Sequence, residues 1–135
     1  MADNTLTCEI VTPVKTVFAS EATYVGLPGE IGSFGVMQRH EPLVSALKAG
    51  VVNVTAADGK HEFVLSGGYA QVNDNKVIVL ANDALEVSQI KADEVQTTLA
   101  GVEKELAALS EGDSAAAYLK GQKEWLELQL KTVNA

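Results

Sequence analysis

Arginine is almost missing from this chain of 135 residues: Arg39 stands alone, and the other basic residues are lysines. The bidentate forks that usually grip phosphates and carboxylates are therefore scarce. With 18 acidic residues against 10 basic ones, the net charge is -8. Nucleic acid is a poor partner for such a chain, because affinity for phosphate backbones comes mostly from clustered Lys and Arg. Cysteine is just as scarce. Cys8 has no second thiol to pair with, so an internal disulfide and a structural zinc site built on thiolates are both excluded. Histidine is limited to His40 and His61, too few for a multi-histidine metal centre in one chain. No apolar run approaches the roughly 20 residues a membrane span requires. The first residues, Met1 to Cys8, have neither a basic start nor an apolar core, so no signal peptide is expected. These absences predict a soluble, acidic, cytosolic chain with no direct membrane insertion.

What is present suffices for a core. Hydrophobic residues make up 47% and charged residues 21% of the chain, a composition that folds. A chain of this size buries roughly two-thirds of the surface its unfolded form exposes. The chain divides near residue 88. All three prolines (Pro13, Pro28, Pro42) and eight of the 11 glycines lie before that point. There, short alternating runs read as strands. Leu6, Cys8 and Ile10 alternate with Thr7 and Glu9, and Val14, Thr16 and Phe18 repeat the pattern after Pro13. Two hairpin turns are predicted, at Asp58-Gly59 and at Asn73-Asp74-Asn75. Eight or nine short strands at this spacing indicate a β-sandwich or barrel rather than βαβ units.

Beyond Ser88 the period changes. Val95, Leu99, Val102, Leu106 and Leu109 recur as one helical stripe. Asp93 and Gln96 have the spacing of a capping box, so this helix is expected to start at Asp93. Ser110 to Ser114 supply a glycine stop and a fresh N-cap, and a second helix runs from Ala115 to about Val133. Leu119, Leu126, Leu130 and Val133 form its seam, flanked by Tyr118, Trp125 and Leu128, and both Tyr118 and Trp125 are expected to pack. Two amphipathic helices with so short a connection make an antiparallel hairpin.

Chemistry is hard to find. There is no Gly-x-Ser-x-Gly element, and Cys8 has no obvious base and reads as core. His61 is expected to be an exposed turn residue. His40, in a loop before Pro42, is a candidate for an interface or functional role. Gly26, Gly29, Gly32 and Gly35 lack the Lys and Ser/Thr of a phosphate loop and read as turns and bulges. Ser66-Gly67-Gly68 reads as a bulge or a close backbone approach. No catalytic constellation, cofactor or metal site is predicted.

The assembled pattern does resemble one family. Gly29-x-x-Gly32-x-x-Gly35, then His40-x-Pro42-Leu43 and Leu47-x-x-Gly50, is similar to the signature of the epsilon subunit of bacterial F-type ATP synthases. Ser66-Gly67-Gly68-Tyr69-Ala70-Gln71-Val72 and Val77-Ile78-Val79-Leu80-Ala81 are similar to its later motifs, in order, over residues 5–85. The resemblance implies an α+β protein in two parts: a ten-stranded β-sandwich over 1–87, then an antiparallel helical hairpin over 88–135 with a regulatory role. It implies a non-catalytic subunit of the central stalk that couples the ion-driven c-ring to the catalytic head. It also implies a peripheral place on the cytoplasmic face of the bacterial cell membrane. The implied partners are the gamma subunit, the c-ring and, through the helices, the alpha/beta catalytic head. By motif position, Ser33, Arg39 and His40 fall on the c-ring side, and Thr12 and Ser45 on the gamma side. Lys120, Lys123 and Lys131 are the candidates for contact with the head, where the family's helices restrain ATP hydrolysis. Many members bind ATP through Asp-x-x-Arg-Ala at the first helix. Here Asp93 is kept, but Gln96 and Thr97 replace Arg and Ala, and a neutral amide cannot stand in for a guanidinium against triphosphate charge. Weak or absent ATP binding is therefore expected. The rival reading is a freestanding β-sandwich binding module with a helical dimerisation hairpin.

Overall fold

A computed structural model describes residues 5–109 and 112–133. Met1 to Asn4 and the Ser110-Glu111 part of the expected helix connection lie outside the described residues. The chain divides between Ser88 and Gln89 into two compact units.

The first unit is a β-sandwich of ten strands: β1 (Leu6–Val11), β2 (Thr16–Ala22), β3 (Tyr24–Pro28), β4 (Ser33–Val36), β5 (Leu43–Leu47), β6 (Gly50–Ala56), β7 (Gly59–Leu65), β8 (Gly68–Asn73), β9 (Lys76–Ala81) and β10 (Ala84–Glu86). One five-stranded sheet has the order β2-β1-β9-β8-β5, the other β10-β7-β6-β3-β4. Alternation alone undercounts the strands, because β4 and β10 span four and three residues and are too short to establish a period. Neighbouring strands pair antiparallel except β1 and β9, which run parallel from Thr7 opposite Lys76 to Val11 opposite Leu80.

The alternating residues converge on one core. Leu6, Cys8 and Ile10 of β1 are buried, as are Val25 and Leu27 of β3, Phe63 and Leu65 of β7, and Val77 and Val79 of β9. Removing this apolar surface from water is the main stabilising term of such a domain. The Asn73–Lys76 hairpin closes as expected. Asp74 (φ 50°) and Asn75 (φ 59°) both take the left-handed conformation that two-residue hairpins require. In the other hairpin the turn falls one residue early, at Ala57-Asp58, and Gly59 already pairs with Ala56.

The glycine series is less turn-like than expected. Gly26 and Gly35 lie within β3 and β4, directly opposite each other. The ring of Tyr24 lies so close over Gly35 that a Cβ there would overlap it. These two glycines make room for an aromatic ring rather than for a bend.

A single 3₁₀ turn (Val87–Gln89) follows β10, and the second unit comprises α1 (Ala92–Ala108) and α2 (Ser114–Val133). The helices pack as a hairpin, with Val95 and Val102 of α1 and Leu119 of α2 buried and Lys123 Nζ 3.6 Å from a Glu103 carboxylate oxygen. The expected capping box is absent. Lys91 is the N-cap and its carbonyl accepts the Val95 N–H at 3.0 Å, so the first turn closes before Asp93 is reached. The Asp93 carboxylate accepts from the Glu94 N–H instead, at 3.0 Å. At α2 the sequence cap holds: Asp113 Oδ1 accepts from the Ala115 N–H at 2.9 Å. Tyr118 does not pack. It is 67% exposed, and its hydroxyl accepts a 2.7 Å bond from the Gln122 amide. Trp125 is half-buried. Among the described residues, no helix is long and apolar enough to cross a membrane.

Candidate functional site

A strand with one side on the core should turn polar residues to water on the other. The outer face of the β2-β1-β9-β8-β5 sheet obeys this at one end only. There Thr7, Glu9, Glu21 and Lys76 face out, with Lys76 Nζ 3.1 Å from Glu9 and the Thr7 hydroxyl donating to Glu21 at 2.8 Å. Toward the other end the same face becomes apolar. Ala46, Tyr69, Leu80 and Val11 stand in register across four strands. Val44 is 70% exposed, Tyr69 60% and Leu80 47%. A row of exposed apolar side chains in register is a different signal from scattered ones, and contiguous patches of this kind mark interaction surfaces.

The apolar end runs into a cleft of about 660 Å³. Its walls include the Thr12-Pro13 bend, Glu30, Leu47, the Ser66–Gly68 turn, Tyr69 and Leu80. Short bonds fix the walls. Thr12 N donates to Lys15 O at 2.9 Å, Glu30 N to Ala46 O at 3.0 Å, and Lys48 N to Pro28 O at 2.9 Å. Gly68 sets the cleft floor: its φ is +155°, and a Cβ there would overlap the Leu80 carbonyl oxygen. Two loop tips at this end lift apolar side chains into water, Val14 at 90% exposure and Ile31 fully exposed.

The residues expected at partner junctions are distributed unevenly. Thr12 lies on the cleft wall, and its hydroxyl closes the Thr12–Lys15 turn. Ser33, exposed at the start of β4, shares this end of the sandwich, where Gly29 bridges to Leu47. Arg39 and His40 lie at the opposite end, beyond the other terminus of β4. Arg39 takes φ 62°, and its N–H donates to Asn75 Oδ1 at 2.9 Å. His40 Nδ1 is 2.7 Å from the Glu41 carbonyl. Ser45 is half-buried opposite the buried Ala70, and its hydroxyl donates to the Ala46 carbonyl at 3.1 Å. On the helices, Asp93, Gln96 and Thr97 are all exposed, and the Thr97 hydroxyl donates to the Asp93 carbonyl at 3.0 Å. Lys120 and Lys131 are exposed, whereas Lys123 is tied to Glu103.

Two titratable groups stand apart. Cys8 is fully buried, and burial together with the neighbouring Glu9 charge pushes its thiol up to about 12. His61 corrects the expectation of an exposed turn residue. It is a half-buried strand residue between Asp58 and Glu86, with its ring against Phe18 and Phe63. Hydrogen bonding to Asp58, then to Glu86, raises its pKa, and the same contact lowers that of Asp58. The sequence hint was the Asp58-x-x-His61 spacing across a tight turn, while Glu86 lies too far along the chain to be paired by inspection. No group of metal-ligating side chains converges among the described residues.

Fold and surface together define a class: a two-part protein, sandwich then helical hairpin, that presents an apolar sheet face beside a cleft. Residues 5–87 match the family described as ATP synthase, Delta/Epsilon chain, beta-sandwich domain. The chain is 38% identical over 115 residues to the ATP synthase epsilon chain of Campylobacter fetus, covering 84% of this chain and 89% of that one. It is 40% identical over 109 residues to that of Nitratidesulfovibrio vulgaris, covering 81% of each. Among solved structures, a chain of the Euglena gracilis mitochondrial ATP synthase (OSCP/F1/c-ring, rotational state 1) superposes with a TM-score of 0.71 at 20% identity, over 97% of this chain and 82% of that one. A chain of the Tetrahymena thermophila central stalk/c-ring structure gives 0.57 at 15% identity, over 94% and 95%. At those identities the two structures speak for the fold alone. The chain belongs to the epsilon chain family of ATP synthases.

Proposed function

We propose that this epsilon chain is a non-catalytic rotor subunit that joins the c-ring to the catalytic head through the gamma subunit. It works as a peripheral component on the cytoplasmic face of the bacterial membrane. The observation that carries the reading is the apolar row Ala46, Tyr69, Leu80 and Val11, with Val44 beside it, on a chain of net charge -8. An acidic soluble surface has no use for such a row unless a neighbour covers it, and gamma is the occupant assigned here. The cleft beside it, walled by Thr12 and the Ser66–Gly68 turn, receives part of the same partner. The exposed Ile31 and Ser33 at that end of the sandwich are assigned to the c-ring loops. Arg39 and His40, at the far end, then touch a different part of the stalk.

Torque transmission asks for rigidity rather than chemistry, and a packed ten-stranded sandwich supplies it. The helical hairpin restrains ATP hydrolysis by reaching the alpha/beta head, with Lys120 and Lys131 as the exposed cations for that contact. The hairpin binds ATP weakly or not at all, since Gln96 and Thr97 offer no guanidinium and the Asp93 carboxylate already accepts a backbone bond.

Two measurements on the reconstituted head test this. The chain should co-purify with gamma at one-to-one stoichiometry, and a chain ending at Ser88 should raise ATPase activity over the full-length chain. A chain that ignores gamma and self-associates through its helices would overturn the reading in favour of a freestanding module. Unchanged ATPase activity would remove the regulatory part alone.

A further inference from the structure

His61, near the start of β7, holds carboxylates from two different elements. Its Nε2 lies 3.0 Å from Asp58 Oδ1, in the turn between β6 and β7. Its Nδ1 lies 3.2 Å from Glu86 Oε2, at the last residue of β10. The two ring nitrogens point apart, so the carboxylates flank the imidazole and do not converge on a shared ion. A neutral imidazole has one N–H and one lone pair, whereas the cation donates from both nitrogens. With both carboxylates ionised, only the protonated ring makes both bonds. The neutral ring must aim a lone pair at one carboxylate.

The ring cannot easily turn away. Phe18 of β2 lies 5.2 Å from its centroid, and Phe63 stacks at 6.4 Å with an interplanar angle of 19°. These neighbours carry no charge, nor does Val54, its register partner on β6. Lys60 and Glu62 flank His61 in β7 and, by strand alternation, project from the other face of the sheet. Asp58 and Glu86 are thus the charged groups that face the ring. The strand they hold is slight. β10 spans three residues at a sheet edge, pairs with β7, and is followed by the 3₁₀ turn and the helical unit.

We propose that His61 is a proton-operated clasp on β10: protonated, it ties the β6–β7 turn to Glu86 and holds the end of the last strand; neutral, it keeps the closer Asp58 and lets Glu86 go. The segment that hands the chain to the helices is therefore anchored in acid and loosened in base. The direction follows from linkage. The folded state binds the His61 proton more tightly than an unfolded chain with its ordinary value of 6.5. The clasp's contribution is fully present below that value and is lost as pH rises through the raised value of the folded protein.

Amide hydrogen exchange on the full chain tests this, comparing residues Ala84–Glu86 at about pH 6 and about pH 8 after correction for intrinsic rates. Protection at the lower pH should be greater by roughly threefold to tenfold, as a charge-assisted bond gained or lost implies. Glu86→Gln, which keeps shape and removes the charge, should reduce that ratio to within about twofold, and His61→Gln should do the same. If His61→Gln fails to fold, Glu86→Gln alone decides. A pH-independent wild type overturns the proposal, and so does a ratio that survives intact in Glu86→Gln.

Discussion

Gly68→Ala asks whether the floor of the cleft beside the apolar row is set by backbone geometry. Two costs apply. A φ of +155° lies in a region that side-chain-bearing residues rarely adopt, worth about 1–3 kcal/mol. The new Cβ would also overlap the Leu80 carbonyl oxygen and approach Ala81 Cα to 3.0 Å. Both obstacles are main chain, so no rotamer change relieves them, and the β8–β9 pair must shift at about a further 1–3 kcal/mol. A loss of about 2–6 kcal/mol is expected, a large share of the 5–15 kcal/mol typical of a domain. Urea unfolding followed by far-ultraviolet circular dichroism measures it; Trp125 fluorescence would report the helical unit instead. Gly67→Ala is the control. Its φ is +114° but its nearest obstacle, the Leu47 carbonyl oxygen, is at 3.4 Å, so the conformational cost should dominate at about 1–2 kcal/mol. If Gly68→Ala costs no more than Gly67→Ala, the strand pair yields freely and the steric reasoning is wrong.

Other expectations are simpler. Leu80→Asp on the apolar row should leave folding within about 1 kcal/mol of wild type but weaken gamma capture at least about tenfold; equal capture would remove this face from the interface. The Cys8 thiol, pushed up to about 12, should resist a disulfide reagent at about pH 8 until urea opens the sandwich, and prompt labelling of native protein would contradict its burial. Asp113→Ala removes the side-chain cap of α2 and should cost the hairpin about 1 kcal/mol in thermal unfolding. Lys91→Asp supplies the cap that α1 lacks and should add a similar amount; a null result there would mean that Asp93 already satisfies the helix end.

Much of the fold could be read from the chain itself where a period had room to repeat. Leu6, Cys8 and Ile10 announced a strand, the stripe from Val95 to Leu109 a helix, and the pair Asp74-Asn75 a tight turn. Failures came where a signal needed more chain than the element contains, as in β4 and β10, or where a single backbone bond decided the matter. The bond from Val95 to Lys91 moved the start of α1 ahead of the capping pair. The apolar sheet face was illegible for another reason. Val44, Tyr69 and Leu80 are ordinary strand residues one at a time, and only the register of β5, β8 and β9 sets them side by side. His61 and Glu86, 25 positions apart, were hidden in the same way. Nor did the motifs reveal that Thr12 would line the cleft beside the Ser66–Gly68 turn, or that Ser33 and His40 occupy opposite ends of the sandwich.

The parallel pairing of β1 with β9 also dictates a timetable. Of the ten strands β1 is made before the others, yet it gains its second neighbour only when Lys76–Ala81 has been made, and the Asn75 side chain reaches back across 70 positions to the Thr5 carbonyl. Until then Leu6, Cys8 and Ile10 have β2 along one edge and nothing along the other, a wait that favours slow folding and early sticking. The two helices, by contrast, follow each other directly in the chain and need no earlier segment to pair with. Completion of β9 is thus the step that joins β1 to β8 and makes one sheet of the strands on either side.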